Sequence, residues 1–329
     1  MVPGMRAMKA AVIREPGGPE ALRIETRPVP EPEPGEVLIR VRAFGLNRAE
    51  TLVREGRAPG VVFPRIPGIE AVGIVACAPG NEFAPGEIVA TARGGMGRAF
   101  DGGYAEYACV PATQVQAVRT RLGWETLGAI PDMLQSAFGA LFRSLRLARG
   151  ERLLIRGGTT AVGLAAAAIA KGHGAFVAAT TRRPDCSEPL RASGADQVFI
   201  DTGAIAAQVQ EVCPGGVNKV LELMGAATLS DSLRCARQSG IVCLVDAAGD
   251  DCAEGAFSPM EAIPTGVCLT TYSGSAEDFM QTPLDELAGR IARGSLRVRL
   301  GKVFHLDEIV QAHRCMEESR AGGKIVVLA

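Results

Sequence analysis

Two glycines at the exit of an apolar run, followed at once by an alanine-rich stretch, are the residues of this 329-residue chain that most directly imply chemistry. The run reads Leu153-Leu154-Ile155-Arg156-Gly157-Gly158-Thr159-Thr160-Ala161-Val162-Gly163-Leu164-Ala165, and its spacing predicts a strand, a tight turn and a helix. Glycine lets the backbone turn without a Cβ clash and approach a pyrophosphate closely. The N-terminus of the helix adds unpaired N–H groups and a positive dipole end. Gly158, Thr159, Thr160, Ala161 and Val162 are therefore the expected phosphate contacts of a dinucleotide. The surrounding pattern fits. Lys171-Gly172-His173-Gly174 closes the helix, residues 175–179 read as a second strand, and Thr180-Thr181-Arg182-Arg183 follows where an adenosine ribose would lie. The other reading is a strand-to-helix turn that binds nothing.

What ends the second strand discriminates between cofactors. A chain that takes NAD places Asp or Glu there for the ribose 2′-hydroxyl, whereas a 2′-phosphate needs hydroxyls and cations. Thr180, Thr181, Arg182 and Arg183 favour NADPH, since a guanidinium can fork onto phosphate and each charge-assisted hydrogen bond contributes about 1.5–3 kcal/mol. Two arginines on a solvated turn remain the alternative. Asp185 is the nearest acid, but it follows Pro184 and is expected to open the next helix.

Composition narrows the class. Thirty-five basic and 36 acidic residues leave a formal charge of -1, which argues against nucleic acid or an anionic membrane as partner. No apolar stretch reaches the roughly 20 residues of a transmembrane helix, and the start has no apolar signal core, so a cytoplasmic location is expected. The nine cysteines are scattered and never form a CxxC pair, so neither a disulfide framework nor a zinc ribbon is indicated. His173, His305 and His313 lie outside any HExxH pattern and read as helix-end or surface residues.

These residues must be positioned by elements that the pattern also suggests. Strands are expected at 8–13, 36–43, 69–77, 88–91 and 104–110, with a proline-punctuated connector at 28–35 and a glycine-rich loop at 94–103. A helical stretch at 133–147 leads into the glycine turn. Strand signals recur at 198–200, 217–223, 241–245 and 267–272 with helical stretches between them, the pattern of a doubly wound parallel sheet. Helices near 283–293 and 306–320 and a strand at 324–328 are expected to return to the first domain. The fold class is α/β. Domain boundaries are expected at 1–125, completed by 275–329, and at 126–274.

The chain resembles the medium-chain dehydrogenase/reductase superfamily, in its zinc-independent, quinone-oxidoreductase-like branch. The resemblance runs from Met8 onward through MKAAVI, PEPGEVLIRVRAFGLNRAE, PRIPGIEAVGIV, FAPGEIVAT, DGGYAEYACVP, GGTTAVGLAAAAIAKGHGA, LRASGADQVFID and AGGKIVVL. It implies a GroES-like β-rich substrate domain beside a Rossmann domain. The zinc enzymes of the superfamily have Cys where this chain has Asn47 and His where it has Ile69. They have a third ligand near 132–134 and a four-cysteine lobe that the 92–109 region lacks. A catalytic zinc needs about three protein ligands, so no metal is expected. The chain departs from the family at Thr160, where relatives often have Gly, so that a Thr159 or Thr160 hydroxyl would assist the phosphates. It departs again at Cys186, where many have a Lys for the 2′-phosphate.

Without zinc or an acid–base pair, the resemblance implies a hydride passed from NADPH to an acceptor that tolerates negative charge, a quinone or an α,β-unsaturated carbonyl. The acceptor oxygen then needs a preorganised donor, worth typically about 2.7–4 kcal/mol. Asn47, which the resemblance puts beside the nicotinamide in an interdomain cleft, and Tyr272 are the candidates. Their alternatives are loop stabilisation for Asn47 and core or dimer-interface packing for Tyr272. Gln135 and Ser136, with helix capping as their alternative, and Ala247, Ala248 and Ser273 complete the expected cofactor contacts. Two rival functions stand beside this one: an NADPH-binding sensor or structural protein with little turnover, and a reductase of simple ketones or aldehydes. A homodimer is expected through the apolar strand at 267–272, since a bare edge of that kind invites aggregation.

Overall fold

Short apolar strands punctuated by proline and glycine build one unit, Met1–Asp132 with Ser275–Ala329, and alternating strands and helices build the other, Met133–Gly274. The computed structural model describes residues 6–245, 258–318 and 320–329. Among these, no helix is long and apolar enough to cross a membrane.

The first unit opens with β1 (Ala7–Ile13) and β2 (Leu22–Pro28), an antiparallel pair. Then come β3 (Glu36–Gly45), α1 (Arg48–Arg54), β4 (Glu70–Cys77), β5 (Ile88–Ala92), β6 (Tyr107–Pro111), β7 (Val115–Ala117) and α2 (Trp124–Gly128). The chain leaves this unit inside α3 (Pro131–Gly139), after Asp132 rather than at 125. The cause is local: the Asp132 N–H donates to Glu70 Oε2 at 2.8 Å, and its carboxylate receives Arg93, which ties the start of α3 to the first unit.

In the second unit α3 runs on as a π-helical turn, Ala140–Ser144, before β8 (Arg152–Arg156). Next are α4 (Ala161–His173), β9 (Phe176–Thr181), α5 (Ser187–Ala192), β10 (Gln197–Ile200), α6 (Ala206–Val212), β11 (Val217–Glu222), α7 (Ala226–Cys235), β12 (Ala236–Val245), α8 (Pro259–Ala262) and β13 (Cys268–Tyr272). All six strands run parallel in the order β10-β9-β8-β11-β12-β13. Such an order reverses between β8 and β11, the point at whose carboxyl edge doubly wound sheets bind ligands. Leu153, Leu154 and Ile155 are fully buried in β8, as a central parallel strand requires.

The chain then returns to the first unit with α9 (Ala276–Gln281), α10 (Leu284–Ala292), β14 (Leu300–His305), α11 (Ile309–Glu317) and β15 (Lys324–Leu328). Its larger sheet runs β14-β15-β3-β4-β5-β7, with β6 also on β3. The inner face of α11 carries Ile309, Ala312, His313 and Cys315. His313 is thus not the surface residue its sparse context suggested. Its Nε2 lies 3.0 Å from the Tyr104 hydroxyl, and Tyr104 stacks on Phe44 at 4.6 Å. Burial holds the imidazole neutral, with a pKa lowered to about 3. It is a core histidine.

Among the elements that escape the sequence pattern, three have only a weak apolar stripe. After Leu22, β2 is exposed or half-buried and pairs only with β1, β14 has no buried residue, and α1 buries Glu50 and Arg54 beside Ala49 and Val53.

Candidate functional site

The turn after β8 is shaped by what cannot fit. Gly157 has φ +84, and a Cβ there would stand 2.8 Å from Met224 Sδ. At Gly163 a Cβ would stand 2.6 Å from the Gly157 carbonyl oxygen, so only glycine lets α4 pack this closely on the turn. Thr160 is the N-cap of α4 at φ -68, ψ 160, and its hydroxyl accepts the Gly163 N–H at 3.0 Å. That hydroxyl caps the helix as an acceptor, and its O–H stays available to donate. Thr159 is exposed, and among the described residues the N–H groups of Thr159, Ala161 and Val162 have no protein acceptor. They form an open set of donors on the positive end of the helix.

β9 extends to Thr181, so both threonines lie inside the strand. Thr180 is buried. Its hydroxyl accepts the Gly157 N–H at 3.0 Å and lies 3.4 Å from Asp201 Oδ2, while the Thr181 hydroxyl bonds within its own turn to Arg183. Both hydroxyls hold the turn. The Arg183 guanidinium lies on Cys186 Sγ at 2.8 Å and near Asp185 at 3.7 Å. Arg182 differs: it is exposed and, among the described residues, has no partner.

Sequence reading missed the group beneath this turn. Arg156, fully buried at the end of β8, forks onto Asp201 with two bonds of 2.9 Å and reaches Asp231 at 2.6 Å. It also donates to the Gly203 carbonyl at 2.9 Å. Asp201 is the acid beside the end of β9, since its N–H donates to the Thr181 carbonyl at 2.8 Å. Burial is the largest influence and disfavours the Asp201 carboxylate, yet the Arg156 hydrogen bonds, the Gly203 N–H, the Arg156 charge and the Thr180 hydroxyl together outweigh it and hold the group below the usual carboxylate range. An arginine ending an apolar buried strand was the available signal, because a buried charge must have partners.

Farther along, Gln135 and Ser136 are buried on α3. The Tyr272 hydroxyl lies 3.4 Å from the Gln135 carbonyl, directly over Gly139, where a Cβ would stand 2.0 Å from it. Tyr272 is 6% exposed, and Ser273 is exposed next to it. Ala247 and Ala248 lie outside the described residues.

In the first unit Asn47 sits at the N-terminus of α1 within a buried charge cluster. Its Nδ2 donates to Glu70 Oε1 at 2.8 Å and its Oδ1 accepts Lys324 Nζ at 2.5 Å. Lys324 also pairs with Glu70 at 3.0 Å. Gly45 makes the meeting possible, because a Cβ there would stand 2.4 Å from Lys324 Cε and 2.5 Å from Glu70 Oε1. The second N–H of Asn47 is held weakly, 3.4 Å from both Glu50 Oε1 and the Gly45 carbonyl. Glu50 accepts the backbone N–H groups of Asn47 at 2.6 Å and Ile69 at 3.0 Å. Burial nevertheless pushes its carboxyl up to about 7. An amide bridged to an ammonium and an aliphatic Ile69 are poor zinc ligands. Among the described residues no group of three or more His, Cys, Asp or Glu side chains is placed to hold a metal ion.

Comparison with known proteins matches residues 33–120 to the alcohol dehydrogenase GroES-like domain and residues 193–327 to a family described as zinc-binding dehydrogenase. A quinone oxidoreductase of Lama guanicoe is 31% identical, with 100% of this chain and 99% of that protein covered. A solved NAD-dependent alcohol dehydrogenase superposes with a TM-score of 0.86 at 26% identity, covering 98% of this chain and 100% of its own. A mycobacterial protein complexed with NADPH does so with a TM-score of 0.85 at 28% identity, with coverage of 98% and 100%.

The cluster around Asn47 makes a pH-dependent prediction. Glu50 is an acid whose folded pKa, about 7, lies above its ordinary 4.5, so unfolding releases a proton between those values. Its contribution is full below pH 4.5 and disappears as pH rises to about 7. The stability of the wild type minus that of Glu50→Gln, from urea unfolding, should fall by up to about 1.4 kcal/mol per pH unit across this window and level off above it. A constant difference would mean that Glu50 ionises like an exposed carboxylate.

Proposed function

Because this chain belongs to the medium-chain dehydrogenase/reductase family, in its quinone-oxidoreductase-like branch, we propose that it is an NADPH-dependent, zinc-independent oxidoreductase. In this reading it passes a hydride to a quinone or to the β-carbon of an α,β-unsaturated carbonyl. The observation that carries the cofactor choice is the end of β9. Among the described residues Arg182 is exposed without a partner, while of the two nearby acids Asp201 is forked by Arg156 and Asp185 lies near Arg183 at 3.7 Å. A 2′-phosphate gains an attractive charge there, and a ribose 2′-hydroxyl finds no uncommitted carboxylate to donate to.

Bound at this turn, NADPH would supply the hydride. The N–H groups of Thr159, Ala161 and Val162 receive the diphosphate, Arg182 the 2′-phosphate, and Gln135 and Ser136 orient the cofactor from α3. Quinones and enones suit a site without zinc, since their reduction leaves a delocalised charge that one neutral donor can stabilise. Asn47 is the better donor candidate of the two, because its second N–H is held only at 3.4 Å while Tyr272 is closed over Gly139. The quinone oxidoreductase relatives support the quinone reading of the acceptor.

Three measurements test these assignments. Dissociation constants should favour NADPH over NADH by at least tenfold, and Arg182→Ala should remove most of that preference; equal affinities in the wild type sink the cofactor choice. Oxidation of NADPH by a panel of quinones and enones should be rapid, and slower with simple ketones and aldehydes; tight binding without oxidation by any of them favours the sensor alternative. Within that panel Asn47→Ala should lower kcat by ~10²-fold or more while leaving NADPH affinity near wild type, the pattern of a contact that strengthens in the transition state. An unchanged kcat with a lowered melting temperature leaves Asn47 only its structural role.

We also propose a homodimer through β13, an edge strand with Cys268 exposed and Leu269 half-buried. A second copy across a two-fold axis covers that edge. Light scattering at micromolar concentration should give twice the chain mass, and a monomer there rules the arrangement out.

A further inference from the structure

The second unit carries a cavity of about 770 Å³ at the amino ends of β8, β11 and β12, the edge of the sheet opposite to the glycine turn. Three arginines line it from separate turns: Arg149 and Arg152 at the entry to β8, and Arg237 on the first bend of β12. Among the described residues none of the three guanidiniums has an acidic partner or a hydrogen bond. Glu151 is the only acid in the lining, and it is already engaged by the Ala148 N–H at 2.8 Å and by Lys219 at 3.7 Å.

The walls are built closely. Arg149 lies along Gly174, where a Cβ would meet its Cγ at 3.1 Å, and a Cβ on Gly216 would stand 2.7 Å from the Arg237 nitrogen. Asn218 holds the Arg152 N–H at 3.0 Å. Backbone geometry adds to this, since Gly215, Gly216 and the non-glycine Ser239 all take positive φ around the cavity. Solvated arginines scattered on a surface need no explanation. These three are solvent-exposed too, but they line one open hollow of ligand size, and among the described residues no anion of the protein offsets them.

We propose that this cavity is a second ligand site, distinct from the cofactor turn, for a small polyanion bearing two or more phosphate or carboxylate groups. Arginine is the side chain suited to that chemistry, because its planar fork matches the paired oxygens of either group. A mononucleotide-sized metabolite fits the volume, and a single-charge anion would leave two guanidiniums unmatched.

Inorganic pyrophosphate and citrate serve as probes of the two headgroup chemistries. Each is titrated into the full-length protein at about 0.15 M salt, where loose attraction between exposed charges is screened beyond about 8 Å, and amide NMR spectra are recorded. At least one probe should shift the amides of Gly150, Gly215, Gly216 and Ser239 saturably. Arg152→Ala with Arg237→Ala should weaken that response at least tenfold, as should Arg237→Glu alone, whereas Arg182→Ala on the cofactor side should leave it intact. The probe that binds more tightly assigns phosphate or carboxylate. Absence of these shifts with both probes, or shifts unchanged by the arginine substitutions in protein with a wild-type melting curve, overturns the site.

Discussion

The buried guanidinium of Arg156 is the interaction on which the nucleotide-binding unit depends. It ends the central strand β8, yet its partners Asp201 and Asp231 follow β10 and lie in α7, so one side chain ties together three segments of the carboxyl edge. Asp201 carries the constraint onward, because it faces Thr180, whose hydroxyl holds the Gly157 N–H. The glycine turn is thereby set from below before any ligand arrives. Removing one member of a buried ion cluster typically costs about 3–5 kcal/mol, since it strands the charge of the other. The geometry of the open N–H donors at the turn is thus bound to the stability of the unit.

Local signals made part of this arrangement legible in the sequence. The strand, the turn, the alanine-rich helix and the closing Gly174 all follow from consecutive residues, and an apolar run into glycines has few other folded forms. The parallel sheet was legible for a similar reason, as βα alternation leaves little topological choice. The Arg156 cluster was not, because its partners stand 45 and 75 residues away and nothing in an isolated arginine says which acids it will meet. The protein partners of Thr180 and Thr181 were hidden on the same ground. Their hydroxyls suit a phosphate by type, but the fold uses them for the backbone of the turn.

The first unit repeats the pattern with different chemistry. Asn47 and Ile69 were noticed because they replace potential ligands, whereas Lys324, 277 residues from Asn47, could only be found in three dimensions. There two carboxylates, one ammonium and one amide fill a buried pocket, and burial drives Glu50 toward its neutral form. A neutral Glu50 leaves one carboxylate, Glu70, facing one ammonium, Lys324. The local charge then moves toward balance as Glu50 takes up its proton.

Thr160 shows how far such substitutions can go without disturbing the binding surface. The sequence resemblance leads one to expect glycine at this position, yet φ -68 and ψ 160 belong to the extended region that any residue adopts, so a side chain there adds no backbone strain. The hydroxyl also gives the helix a cap that glycine lacks, a gain of a few tenths of a kcal/mol in typical cases. The positions that do resist a side chain are Gly157 by its positive φ, Gly158 by Ala179 Cβ at 2.9 Å, and Gly163 by the approach of α4 to the turn carbonyls. The turn therefore keeps glycine where geometry demands it and uses threonine where a hydroxyl stabilises the helix. The N–H groups of Thr159, Ala161 and Val162 remain open in either case, because the Thr160 side chain binds a different donor, the N–H of Gly163.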